Sequence, residues 1–310
     1  MVNDDTHLAL GELAARQLTN AQKTAPTMQS ITPRWLTQLL PWVPVEAGVY
    51  RLNKVHDESR VLTATSLRDD HSELPETFVD YEDAPREYFL GSVTTVVDVH
   101  TRVADLYSHP FDQTKEQLRL AVETIRESQE HELLHNADYG LLNNITAAQR
   151  LSTMTGPPTP DDLDELITRV WKQPAFFLAH PLAIAAFGRE ATRRGVPPAT
   201  TTLFGSSFLT WRGIPIVPSN KFEINDGTTQ ILLLRTGESR QGVVGLYQPG
   251  PVGDQGLGLS VKFMGINRKA IASYLISLYS SLAVLADDAV AVLEGVEVNK
   301  YHAYDNVYRS

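Results

Sequence analysis

Residues 174–222, PAFFLAHPLAIAAFGREATRRGVPPATTTLFGSSFLTWRGIPIVPSNKF, constrain the fold more than any other stretch, because apolar spacing, chain-stopping residues and a strand signal follow one another within it. The first third, residues 175–194, carries Phe176, Leu182, Ala186 and Phe187 at helical spacing and closes on Arg189, Glu190, Arg193 and Arg194. Basic side chains in a last turn interact favourably with the helix dipole. Gly195 can take the left-handed conformation that stops a helix, and Val196-Pro197-Pro198 forbids its continuation. A helix ending in a stiff tip is therefore predicted. Residues 204–211 read as a strand, and 213–219, GIPIVPS, as an apolar run interrupted by proline. Proline cannot donate to a sheet ladder, so this run is expected at an edge or a bulge.

With 310 residues, 42% of them hydrophobic, the chain can bury one or two sizeable cores. It contains no cysteine, which removes disulfide frameworks, thiolate metal sites and cysteine nucleophiles. The start, MVNDDTHLAL, has acids where a signal peptide carries positive charge, so no secretion signal is expected. The uncharged run 270–286 includes Ser273, Ser277, Ser280 and Ser281 and is too short and polar for a membrane span. A formal charge of −10 opposes phosphate-driven nucleic-acid binding over the whole surface. A protein or small-molecule partner is the expectation.

Along the chain, an amphipathic piece at 8–18 and a polar connector at 19–30 precede Trp35 and Trp42, which sit between prolines and need cover. That cover is either their own domain or a neighbouring subunit on which the segment lies as an arm. Residues 50–82 alternate strand-like pieces, 49–55 and 60–65, with the charged turn RDDHSELPE. Such a hairpin is not stable alone, and either belongs to the same domain's surface or extends over a neighbour. Residues 88–99 read as a strand punctuated by Gly91, and 111–136 as the longest helix, with Leu118, Val122 and Ile125 on one stripe. Thr159-Pro160-Asp161-Asp162 is a helix start, opening a helix over 160–172 that turns Leu163, Leu166, Ile167 and Val170 inward, its acids serving the dipole. Residues 230–234 read as a buried strand. Residues 237–258, with seven glycines and two prolines, read as loop. The alternation Ile276, Leu278, Ser280, Leu282, Val284 marks 274–285 as a strand, and 288–298 adds a second apolar piece before a polar, aromatic tail.

One motif could carry chemistry. His131-Glu132-Leu133-Leu134-His135 is an H-E-x-x-H, in which two imidazoles one helical turn apart can grip zinc while the glutamate activates water. No glycine or histidine follows at the metzincin spacing, and Glu165 lies beyond a helix break, so the third ligand is missing. The competing reading is a solvated helix end whose histidines favour the dipole. The loop PGPVGDQGLG lacks the lysine of a phosphate loop, and there is no G-x-S-x-G elbow. Asp80/Glu82 and Asp161/Asp162 are carboxylate pairs without an attached base, as surface charge usually is. The sequence therefore points away from an enzyme: no catalytic residue, no cofactor-binding residue and no metal site is expected, with a zinc metallopeptidase at 131–135 as the alternative.

A helix, a tip and a strand entered through Gly-x-Pro resembles the axial domain of tailed-phage major capsid proteins and encapsulins. The order of elements over nearly the whole chain is similar to the Hong Kong phage capsid fold, an α+β class. The runs ITPRWL, PWVPVEAG, FVDYED, GPPTPDDLDELI, FFLAHP, AAFGRE and TRRGVPPATTTLFGS resemble the family-two encapsulins that lack a cyclic-nucleotide-binding insert. The resemblance implies an N-terminal arm (1–48), an extended loop (49–87), a peripheral domain with a spine helix (88–173), an axial domain (174–265) and a return to the peripheral domain with a tail (266–310). It implies a homo-oligomeric, closed icosahedral shell in the bacterial cytoplasm enclosing a cysteine desulfurase, in sulfur metabolism or storage, with no nucleic acid and no membrane. It also offers Arg193, Arg194, Gly195, Val196, Pro197 and Pro198 as fivefold pore candidates, and Trp35 and Trp42 as intersubunit arm candidates. A prophage major capsid protein would share the fold.

Overall fold

The computed structural model describes residues 31–53, 84–100, 113–251, 253–269 and 271–301. Residues 1–30 of the expected arm, most of the expected extended loop with its strand-like piece at 60–65 and charged turn, and the tail at 302–310 lie outside the described residues.

Runs that are apolar without alternation form the centre of a seven-stranded sheet, as strands buried on both faces must. Its order is β5 (Arg150–Ser152), β14 (Val290–Glu297), β10 (Thr228–Leu234), β6 (Phe176–Ala179), β9 (Ile214–Pro218), β8 (Ser206–Trp211) and β7 (Ala199–Leu203). On one face, α3 (Pro160–Arg169) and α4 (Pro181–Arg193) bring Leu163, Leu166, Ala183 and Phe187 against Phe177, Ile231, Leu233 and Leu293. The other face, Phe176, Leu178, Leu232, Leu234 and Val292, packs on Leu133, Leu134, Leu141, Leu36 and Leu282. Period-two alternation thus feeds two cores from one sheet.

The second sheet is built on β13 (Ile271–Val284), which pairs antiparallel with β4 (Gly91–His100), and with β12 (Leu259–Ile266) and β11 (Val243–Tyr247) in succession. β1 (Trp42–Pro44) adds in parallel to β11. The long helix α2 (Gln113–His135) lays Leu118, Val122 and Ile125 on Leu259, Ile276 and Leu278, the stripe read from the sequence. β2 (Val49–Leu52) and β3 (Arg86–Phe89) form a separate two-stranded pair.

Several expectations need correction. Residues 175–194 are not one helix: FFLA is the buried strand β6, and α4 begins only at Pro181, with the His180 ring accepting from the Leu182 N–H at 3.1 Å. Proline biases the residue before it towards extended backbone, and His180 takes that conformation. β9 lies inside the sheet, between β8 and β6, and not at an edge. It tolerates two prolines because each lies outside one of its two ladders: Pro215 pairs with Thr210 of β8 but precedes the first pair with β6, at Ile216, and Pro218 pairs with Ala179 of β6 but follows the last pair with β8, also at Ile216. The glycine-rich stretch holds β11, whose Gly245 lies under the Trp42 ring; a Cβ there would come within 2.6 Å of it. Residues 199–203, between the predicted tip and the predicted strand, form β7, joined to β8 through Phe204 and Gly205, both at positive φ. The helix over 160–172 ends at Arg169.

The tryptophans find their cover within the chain. Trp35, in α1 (Trp35–Leu39), is buried edge-on against Phe208 at 5.2 Å, and the Trp42 indole N–H donates to the Thr37 carbonyl at 2.9 Å. Residues 31–45 are therefore part of the folded body and not a detached arm. Nor do boundaries at 174 and 266 separate the sheets. β5, α3 and β14 join the strands of 174–234, whereas β11 and β12 join β13. Pairing between distant segments interleaves what a linear reading divides.

Candidate functional site: helix tip, hairpin anchor and polar hub

The tip forms as its residues dictate. The Val196 N–H bonds the Ala191 carbonyl at 2.9 Å and the Gly195 N–H bonds that of Thr192 at 3.0 Å, with Gly195 at φ 77°, the paired closure that needs a left-handed residue. Glu190, only 4% exposed, lies between Arg193 at 3.7 Å and Arg194 at 3.8 Å, and Arg194 also reaches Asp161 at 3.4 Å. Arg193, Arg194, Gly195, Val196 and Pro197 are exposed and Pro198 is half-buried, so the six pore candidates form one continuous turn leading into β7. The two arginines are already partly balanced by carboxylates from α4 and α3.

Opposite this turn, the Arg212-Gly213 turn between β8 and β9 is tied to α3 by Asp164. The Trp211 indole N–H donates to Asp164 Oδ1 at 2.7 Å, and Arg212 grips both oxygens at 3.1 and 2.8 Å. The hydrogen bond from Arg212 holds the Asp164 carboxyl below its usual range against opposing burial, with the Trp211 bond adding to it. Nothing local in the run DDLDEL marks Asp164 as the anchor; the only sequence signal is the WRG turn it receives.

The H-E-x-x-H lies at the C-terminal end of α2. The His131 and His135 rings stack at 4.6 Å, but His135 Nε2 is bonded to the Lys221 carbonyl at 2.7 Å, and Glu132 receives the Asn136 amide at 2.7 Å. Among the described residues no group of three or more histidines, aspartates or glutamates could hold a metal. The motif closes a helix and fastens it to residue 221.

One turn and two turns earlier on α2 is a polar hub that the sequence reading missed. Thr32 donates its backbone N–H and its hydroxyl to Glu127, Arg34 pairs with Glu123 and Glu127, and Lys221 pairs with Glu127. Burial alone would raise the Glu127 carboxyl, yet the bonds from Lys221 and Thr32 hold it below the ordinary value. Glu130, deeper on the same helix, is buried and makes no ion pair among the described residues; burial outweighs the Leu36 N–H bond and the nearby Lys221 and pushes its carboxyl up to about 7.

Comparison with known proteins decides what such a body is. Residues 49–300 match the model of the SrpI-like type 2A encapsulin shell proteins. The chain belongs to this family. It is 66% identical over 304 residues to the type 2A encapsulin shell protein SrpI of Synechococcus elongatus, covering 98% of this chain and 99% of that one. The cryo-EM structure of the holo-SrpI encapsulin complex from the same organism superposes with a TM-score of 0.83 at 62% identity, over 96% of this chain and 100% of the other. The capsid of a native GTA particle, 13% identical, matches with a TM-score of 0.58 over 86% of this chain and 91% of that one, which shows the shared Hong Kong phage capsid fold and no more. As a type 2A encapsulin shell protein the chain is a structural subunit of a nanocompartment, not an enzyme. The zinc peptidase reading fails on the family. Among the described residues no helix is long and apolar enough to cross a membrane.

Proposed function

We propose that copies of this chain close into an icosahedral shell in the bacterial cytoplasm that encloses a cysteine desulfurase and serves sulfur metabolism or storage. The likeness that carries this reading is the TM-score of 0.83 to a holo-encapsulin complex over 96% of the chain. Heterologous contacts between identical subunits assemble a finite body only by closing through rotation axes. Within such a shell, residues 1–30 supply the arm and the segment between β2 and β3 the extended loop, α2 with the sheet built on β13 serves as the peripheral domain, and the seven-stranded sheet with α3 and α4 serves as the axial domain. The tip at Arg193, Arg194, Gly195, Val196, Pro197 and Pro198 lines the opening at the fivefold axis, where its stiff backbone and paired charges filter small solutes entering for the cargo's chemistry.

Electron microscopy and sizing of the purified chain test the assembly: hollow spheres of uniform diameter are expected, and a stable monomer or dimer overturns it. Co-expression with a cysteine desulfurase from the same genome tests the cargo. The enzyme should co-purify with the particles and resist external protease; an enzyme that remains outside, beside intact shells, removes the cargo assignment and leaves the shell standing.

A further inference from the structure

Glu130 is 1% exposed, and burial disfavours its charge more than its neighbours favour it. Its oxygens meet only weak donors: the Leu36 N–H at 3.4 Å, the Ser219 hydroxyl at 3.4 Å and the Thr37 hydroxyl at 3.5 Å. No cation lies within ion-pair distance among the described residues, because Lys221 and Arg34, the nearby cations, are committed to Glu127 and Glu123. A buried anion without a partner is costly, whereas a buried neutral carboxyl with three hydrogen-bonding neighbours is not. The three neighbours come from two separate elements, the segment 31–40 and residue 219, both packed on α2.

We infer that Glu130 is a protonation latch: neutral, it seats the segment 31–40 on the long helix, and ionised, it loosens that segment locally while the sheets stay intact. The charged groups around it set the direction. Glu127 on α2 opposes its ionisation, Lys221 favours it, and His135 of the same helix touches Lys221 only through the backbone carbonyl. Burial dominates and pushes the carboxyl up to about 7. A carboxyl raised in the folded state takes up a proton on folding, so its contribution to docking is present at mildly acidic pH and is lost as pH rises through about 7. Glu127, held below its ordinary value, works in the opposite sense and loses its contribution only in stronger acid. Docking is therefore tightest near the ordinary carboxylate range and weakens as pH rises from there through neutrality.

The test is amide hydrogen exchange on the full-length protein, corrected for intrinsic rate. Protection of residues 34–42 should fall by up to about tenfold between about pH 6 and about pH 8. Strands β6, β10 and β14 should keep theirs. In Glu130→Gln the profile should be flat, with the segment docked throughout. A flat wild-type profile overturns the latch even if the variant fails to fold. So does a loss spread over the whole chain, or an equal loss in wild type and Glu130→Gln.

Discussion

At the scale of single residues, the side chains that hold the most are charged groups whose partners are far away in sequence. Asp164 satisfies the N–H of Trp211, itself 5% exposed, and receives Arg212 bidentately. Asp164→Ala strands a buried indole donor, and a loss of about 1–3 kcal/mol is expected in urea denaturation. Asp164→Asn keeps an acceptor for Trp211 and should cost less. The pH dependence separates the two effects. With the Asp164 carboxyl depressed chiefly by the Arg212 hydrogen bond, its stabilisation is present above the unfolded carboxylate pKa and is lost as pH falls through the folded one. Asp164→Asn should therefore flatten part of the acid limb of stability against pH, and an unchanged limb would refute the assignment. The same logic explains why the hub was illegible. Glu123, Glu127 and Glu130 look like the solvated face of a helix, and only the fold brings Thr32, Arg34, Ser219 and Lys221 to them.

At the scale of elements, local chemistry was readable where each element is closed by its own neighbours. Thr159 caps α3 reciprocally with Asp162, which is 1% exposed and also accepts the Met154 N–H at 3.0 Å. Thr159→Ala should cost about 1–2 kcal/mol. Asp162→Ala should cost more, since it strands the N–H groups of Met154 and Thr159 together; calorimetric melting of both variants ranks them, and the reverse order would contradict the bonding described. The stop at Gly195, the stripe on α2 and the alternation along β13 were legible for the same reason. What could not be read depends on pairing. FFLA has the apolar density of a helix start and becomes β6 because β10 and β9 flank it. Pro215 argues for an edge until the ladders are known to end beside it. Val243–Tyr247 is hidden among glycines, one of which is required by an indole from residue 42.

At the scale of the whole molecule, folding and assembly are separable. Among the described residues the four buried clusters run from residue 35 onward, which makes residues 1–30 the natural segment to remove. Deleting them should leave circular dichroism and melting of the subunit nearly unchanged while lowering the yield of shells in sizing; shells formed at full yield would show the arm to be dispensable. The tip permits a sharper experiment because its two arginines are not equivalent. Arg194, with its side chain 39% exposed, is shared between Glu190 and Asp161, so Arg194→Glu would set like charges together and destabilise the end of α4. Arg193, with its side chain 62% exposed and 3.7 Å from Glu190, should change sign at a smaller cost to the subunit than Arg194. If the tip lines a pore, Arg193→Glu should slow the entry of small anions and speed that of small cations into intact shells, measured by quenching of an enclosed dye, with shell diameter unchanged. Equal entry of both ions before and after the exchange would place the tip away from the route solutes take.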